Sequence, residues 1–111
     1  MTITTHGCAR RIAVAYHQAW ARRDLPGALE HIADDVVCDG PSGRVDGVLA
    51  FADVLSAQLR ELEHTDLVAA FGDDTTAVLI HDAQTIAAPR GRAAMHVTVE
   101  DGQITYMRLS A

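Results

Sequence analysis

Three side chains in this sequence are placed to move or hold a proton. Asp82 sits inside a strand-like run, Val78-Leu79-Ile80-His81-Asp82-Ala83-Gln84-Thr85-Ile86. Alternation puts Val78, Ile80, Asp82, Gln84 and Ile86 on one face and Leu79, His81, Ala83 and Thr85 on the other. A carboxylate among apolar neighbours has its charged form disfavoured, so its pKa rises and it can exchange protons near neutrality. The plainer alternative is a strand carboxylate that is hydrogen-bonded or set near a wet pocket mouth. Tyr16 can donate its hydroxyl to a carbonyl or enolate oxygen, or it can be a core aromatic with a satisfied hydroxyl. Asp39 is a third candidate, as a base, although a turn aspartate bonding nearby backbone is the ordinary role.

Other chemistries find little support. The histidines, His6, His17, His31, His64, His81 and His96, form no His-x3-His pair and no Cys/His cluster with zinc spacing, so no metal site is expected. His17 adjoins Tyr16 but lies about 100° round a helix from it, which predicts that it faces away from Tyr16's surroundings. Cys38 has no evident partner for nucleophilic work. Gly40-Pro41-Ser42-Gly43 reads as a hairpin turn rather than a phosphate cradle, and no cofactor is expected.

The elements that must position these residues follow from periodicity. Thr4 or Thr5 can cap a first helix, whose apolar positions are Ala9, Ile12, Ala13, Tyr16, Ala19 and Trp20. Asp24 ends it and can cap a second, short helix with Pro26 in its first turn and Leu25, Ala28, Leu29 and Ile32 on its buried side. Val36-Val37-Cys38 reads as a short strand, Asp34-Asp35 as a surface pair at the helix end, and Arg44-Val45 as a returning strand. Asp46-Gly47 precedes a third helix with the stripe Val48, Phe51, Ala52, Leu55, Leu59 and Leu62. From residue 65 the period becomes strand-like, with candidate strands at 65–71, 76–86, 92–100 and 103–109 separated by Gly72-Asp73-Asp74, Ala88-Pro89-Arg90-Gly91 and Asp101-Gly102. Helices first and an antiparallel meander after them indicate an α+β domain.

At 111 residues and 49% hydrophobic, the chain reads as one domain, residues 1–111, able to bury a core without disulfides. The formal net charge is −6 and all nine positive residues are arginine. An acidic chain without a basic stripe is a poor candidate for nucleic acid or an anionic membrane. No apolar run is long enough to span a bilayer and no secretory signal opens the chain, so a cytoplasmic protein with Cys8 and Cys38 as free thiols is expected.

The order of helix, capped short helix, short hairpin, helix and long sheet resembles the nuclear transport factor 2-like superfamily, with its SnoaL-like polyketide cyclases, ketosteroid isomerases and limonene epoxide hydrolases. The resemblance covers nearly the whole chain and rests on Tyr16-x7-Asp24, Ala33-Asp34-Asp35-Val36 and Glu100-Asp101-Gly102-Gln103-Ile104. It implies a cone-shaped, curved, mainly antiparallel sheet packed against three N-terminal helices. It also implies an apolar pocket in which Ile80, Asp82 and Gln84 point inward with Tyr16, Trp20, Phe51 and Met95.

Within that resemblance, Tyr16 falls on the tyrosine position of ketosteroid isomerases. The isomerase base falls on Gly40, beside Asp39 of opposite strand parity, and the acid of the oxyanion hole falls near Met95. Isomerase chemistry in its usual form is therefore not expected. The Arg-x-Asp pairing of limonene epoxide hydrolases is also missing, since Ile80-His81-Asp82 contains no arginine. The resemblance implies a protein that binds a small hydrophobic, oxygenated molecule. Its chemistry would be a cofactor-free cyclisation, isomerisation or hydration with Asp82 as the proton shuttle and Tyr16 as oxyanion donor. The alternative is a non-catalytic ligand-binding or dimerisation module. Family members commonly pair through the outer sheet face. Pairing Ile86 with Gly91 would set His81 opposite His96 on that face, near the interface of an expected homodimer.

Overall fold

Asp73 shows how local chemistry lays out the chain. Its side-chain Oδ1 accepts from the backbone N–H of Thr75 at 2.9 Å and of Thr76 at 3.0 Å. This closes a tight turn between two strands. Its carbonyl accepts from Ala9 N at 3.1 Å, tying the first helix to that turn.

The computed structural model describes residues 8–41, 43–87 and 89–110. The expected cap at Thr4 or Thr5, and Ser42 and Ala88 in the two turns, lie outside the described residues. The elements run α1 (Cys8–Ala21), α2 (Leu25–Leu29), β1 (Ile32–Gly40), β2 (Gly43–Asp46), α3 (Val48–Glu61), β3 (Leu62–Gly72), β4 (Thr76–Thr85), β5 (Gly91–Glu100) and β6 (Gln103–Ser110). Asp24 caps α2 by accepting from Gly27 N at 3.0 Å. A Cβ on Gly27 would meet that carboxylate at 2.2 Å, so the cap itself requires glycine here. Gly47, at φ 88°, makes the turn from β2 into α3. Ile32 opens β1 rather than completing α2.

The six strands form one open, curved sheet in the order β2-β1-β6-β5-β4-β3. Neighbours are antiparallel except β1 and β6, which run parallel. The sheet is therefore mixed but mostly antiparallel. β1 is longer than Val36–Cys38 because a register irregularity between Ile32 and Val37 lets Asp34 and Asp35 both face solvent within the strand. Helix α1 packs on β3, β4 and β5, and α3 packs on β1 and β2. Between them lies the core: Ala13, Tyr16, Ile32, Val36, Phe51, Leu55, Leu59, Leu79, Val97, Ile104 and Met107 are buried. Leu29 is half-buried against it.

The β4–β5 register differs from expectation. Ala83 pairs with Gly91, His81 with Ala93, and Val78 with His96. Pro89 has no N–H to donate to a ladder, and Ile86, Ala87, Pro89 and Arg90 all lie outside the two strands. The shift of three residues changes the face as well as the partner, so His81 and His96 lie on opposite sides of the sheet.

Strand β4 also shows the opposite facing. Ala77, Leu79 and His81 are buried on the helix-covered side, whereas Ile80, Asp82 and Gln84 face outward. The run carries apolar residues on both faces, so alternation alone could not choose between them. The deciding pair is His81 and Asp82. A neutral imidazole can be desolvated at far lower cost than a carboxylate, and the outer face supplies Asp82 with arginines.

Candidate functional site

Between α1, the end of α3 and the inner face of β3–β6 lies a cavity of about 250 Å³. Its deep wall is formed by Tyr16, Leu62, His81 and Met95, all buried. Ala83, Ala93 and Leu109 supply apolar sheet surface, and exposed Pro41, Glu61 and Ser110 stand at its mouth. Among the described residues no arginine lines it.

Helix α1 brings three side chains to this space. Ala13, Tyr16, His17 and Trp20 follow the i, i+3, i+4, i+7 spacing of a single helix face. Tyr16 packs against Phe51 with ring centroids 6.4 Å apart. Burial, with Cys38 as a second influence, holds its phenol well above the ordinary range, so it is protonated and able to donate.

His17, Trp20 and His81 form a triangle of rings. The centroids are 5.6 Å apart for His17–Trp20, 5.4 Å for His17–His81 and 5.7 Å for Trp20–His81. His17 Nε2 lies 3.2 Å from Thr65 Oγ1, and that hydroxyl donates to the Asp82 carbonyl at 2.8 Å. His81 Nδ1 is buried without a hydrogen-bond partner. Burial first, and the proximity of His81 second, bring His17 down to about 4. Burial also lowers His81, against a smaller opposing influence from Asp82. Both imidazoles are therefore neutral at pH 7, each with one N–H and one lone pair.

The residues singled out in the sequence divide between the two sides of the sheet. Tyr16, Trp20 and Met95 line the cavity. Phe51 lies behind it, in the core against Tyr16. Ile80 and Gln84 are on the outer face, where Gln84 Nε2 donates to Glu63 Oε1 at 3.1 Å. Asp82 is not a cavity acid. Arg92 Nε donates to its Oδ1 at 2.8 Å and Arg90 Nε lies 3.6 Å from Oδ2. Hydrogen bonding to Arg92 foremost holds its carboxyl below the usual range, the reverse of the expected shift. Asp39 also faces outward, accepting from the Tyr106 hydroxyl at 2.8 Å, because the buried Cys38 beside it takes the inward direction. His17 is the reverse case: expected away from Tyr16's surroundings, it lines the cavity. Counting it among the apolar positions of α1 would have completed the Ala13-Tyr16-Trp20 face.

The arrangement can hold a mainly apolar molecule, present a protonated phenol to one of its oxygens, and exchange a proton with a neutral imidazole. Among the described residues, no cluster of three histidine, cysteine or carboxylate side chains could hold a metal ion. No helix among them is long and apolar enough to cross a membrane.

The profile of the SnoaL-like domain family matches residues 13–107. A crystal structure of a protein from Kribbella flavida superposes with a TM-score of 0.89 at 43% identity, over 93% of this chain and 85% of that one. An NTF2-like protein of unknown function from Cytophaga hutchinsonii aligns at TM-score 0.77 and 19% identity, over 98% and 90%. A steroid delta-isomerase from Pseudomonas aeruginosa aligns at TM-score 0.80 and 19% identity, over 98% and 82%. No curated protein matches the sequence. The helix order, the open curved sheet and the family match together make this chain a member of the SnoaL-like domain family, with the nuclear transport factor 2-like fold.

Proposed function

We propose that this protein binds a small hydrophobic, oxygen-bearing molecule in the cavity beside α1 and performs cofactor-free proton transfer on it. The observation that carries this reading is the ring triangle of His17, Trp20 and His81 set into an otherwise apolar wall. Two desolvated neutral imidazoles serve no packing need that leucine or phenylalanine would not meet better. Held neutral in such a wall, each ring keeps one N–H to donate and one lone pair to accept. Tyr16, protonated deep in the same cavity, is the donor for a ligand oxygen that gains negative charge.

Trp20 is the only tryptophan of the chain and touches the cavity, so its fluorescence reports occupancy. Bicyclic ketones and phenols are expected to change that fluorescence saturably at neutral pH, and Trp20→Phe should abolish the signal. A panel of such compounds that leaves the emission unchanged would refute the ligand reading.

A second reading is favoured by one observation: both strand carboxylates, Asp39 and Asp82, are on the outer face. A non-catalytic ligand-binding or dimerisation module would have this character. A homodimer through the outer sheet face is proposed in either case. Light scattering at neutral pH tests it, and a monomer at micromolar concentration would refute it.

A further inference from the structure

We infer that His17 and His81 form an acid-sensitive latch on the cavity. With both rings neutral the wall between α1 and the sheet is closed, and a proton taken up by the pair opens it and expels the ligand. This rests on the ligand-cavity reading above and adds the regulation of that site.

A proton on this pair has no counter-charge beside it. His17 and His81 are only 6% and 8% exposed, their centroids are 5.4 Å apart, and Trp20 packs against both. On α1 itself the neighbours are the protonated Tyr16 and the Trp20 indole, neither of them charged. From β3, Thr65 offers a hydroxyl, while the Asp66 carboxylate lies on the far face, engaged by His64 and Arg90. From β4, Asp82 is likewise turned away and held by Arg92 and Arg90. The residues that β5 and β6 bring to the cavity are uncharged. From α3 comes Glu61, exposed at the mouth. Arg23, beyond the end of α1, donates to the Leu62 carbonyl and adds positive charge on the same side. An imidazolium in the closed wall is therefore buried without a partner. It gains one, with water, only by moving toward Glu61 and the mouth. A second proton would be repelled by the first at this separation, so one is enough to work the latch.

The two sides of the wall do not give equally. His81 is fixed in mid-strand, laddered to Leu67 of β3 and to Ala93 of β5. His17 stands near the C-terminal end of α1, which stops at Ala21, and its side-chain hydrogen bond is the one with Thr65 at 3.2 Å. The helix side is thus the one that yields, and Trp20, three residues on, moves with it. The direction of the pH effect follows. Burial first, and His81 second, bring His17 down from 6.5 to about 4, and burial also lowers His81. The open wall binds more protons than the closed one across that window. Closure is therefore fully present above about 6.5 and is lost as pH falls toward 4. An uncharged ligand seated against the rings removes still more water from them, so ligand and proton exclude each other.

The test uses the full chain and 2-decalone, a bicyclic ketone that carries no charge across the pH range used. Its Kd, measured by calorimetry, should rise about tenfold or more between pH 7 and pH 4.5. One proton on a group moving from about 4 to 6.5 allows roughly 50-fold. In the ligand-free chain, Trp20 emission should shift to the red over the same interval while far-UV circular dichroism stays unchanged. The ring ¹⁵N titration of His17 or His81 should share its midpoint. The His17→Gln, His81→Gln double variant should show neither the Kd change nor the emission shift, whereas His96→Gln, on the outer face, should show both. An emission shift that survives in the double variant, that matches neither ring, or that coincides with loss of circular dichroism would overturn the latch. So would a wild-type Kd independent of pH, and in each case the cavity reading stands. If the double variant does not fold, the wild-type ring and Trp20 titrations decide alone. If 2-decalone binds at neither pH, the ligand reading and ligand expulsion fall together, and the ligand-free titration still decides whether the pair opens the wall.

Discussion

Acid should destabilise this protein well above the pH at which its carboxylates titrate, and His17 should account for much of the effect. The ring titrates near 4 in the fold against an ordinary value of 6.5. Below about 6.5 the unfolded chain takes up a proton on this residue while the native ring does not until about 4. The unfolded state then binds more protons, so stability is fully present above the ordinary value and is lost as pH falls through the window. At about 1.4 kcal/mol for each pH unit separating the two values, the loss is about 3 kcal/mol. That is a large share of the ~5–15 kcal/mol typical of a domain. Asp66, Asp73 and Asp82 all have lowered values from an ordinary 3.8, so their contribution is lost only below this window. The measurement is urea unfolding at pH 7 and pH 4.5, followed by Trp20 emission, on wild type and His17→Gln. Glutamine keeps an N–H for Thr65 but does not titrate. Wild type should lose about 2–3 kcal/mol more than the variant across that interval. Equal losses in the two proteins would refute the claim that His17 is held neutral by burial.

Other substitutions probe the same wall. His81→Leu removes an imidazole whose Nδ1 has no partner. It should leave stability unchanged or raise it by about 1 kcal/mol, moving Tm up by roughly 4 °C; a fall in Tm would show that Nδ1 is satisfied in solution. Asp82→Asn weakens the outer-face contacts with Arg92 and Arg90. Its urea midpoint should fall modestly at low ionic strength and converge on wild type in high salt, and a salt-independent loss would show that the carboxylate is not acting through ion pairs. Asp24→Ala removes the cap of α2 and the acceptor of Gly27 N; a cost of about 1 kcal/mol is expected in urea unfolding, and no change would show that the cap contributes nothing.

The elements were legible because their signals are local. The capping of α2 by Asp24, the helix stripe Phe51-Leu55-Leu59 and the turns at Gly72-Asp73-Asp74 and Asp101-Gly102 each depend on residues within one turn of themselves, and each appears where the sequence sets it. Facing and register were not local. Which side of β4 enters the core depends on Arg90 and Arg92, which a different strand and its approach bring to Asp82. The partner of His81 depends on how much chain the Pro89 connection consumes. Phe51 carried a true helix-face signal, but that signal cannot distinguish the wall of a cavity from the layer behind it.

The same facing favours the proposal of imidazoles rather than carboxylates as the proton-transfer groups. A carboxylate on the inner face of β4 would face Trp20 and His17 with no cation in the cavity lining. Its charged form would be strongly disfavoured there, and it would fold as the neutral acid. An imidazole in the same position is neutral already at pH 7, keeps a usable N–H or lone pair, and costs the fold only an orphaned nitrogen. His81 meets that description, and the other ring, His17, has its Nε2 3.2 Å from the Thr65 hydroxyl, which itself donates to the Asp82 carbonyl. The strand that presents His81 inward therefore places Asp82 outward by parity. The residue that looked like the acid in the sequence marks, by being its neighbour, one of the two imidazoles in the cavity wall.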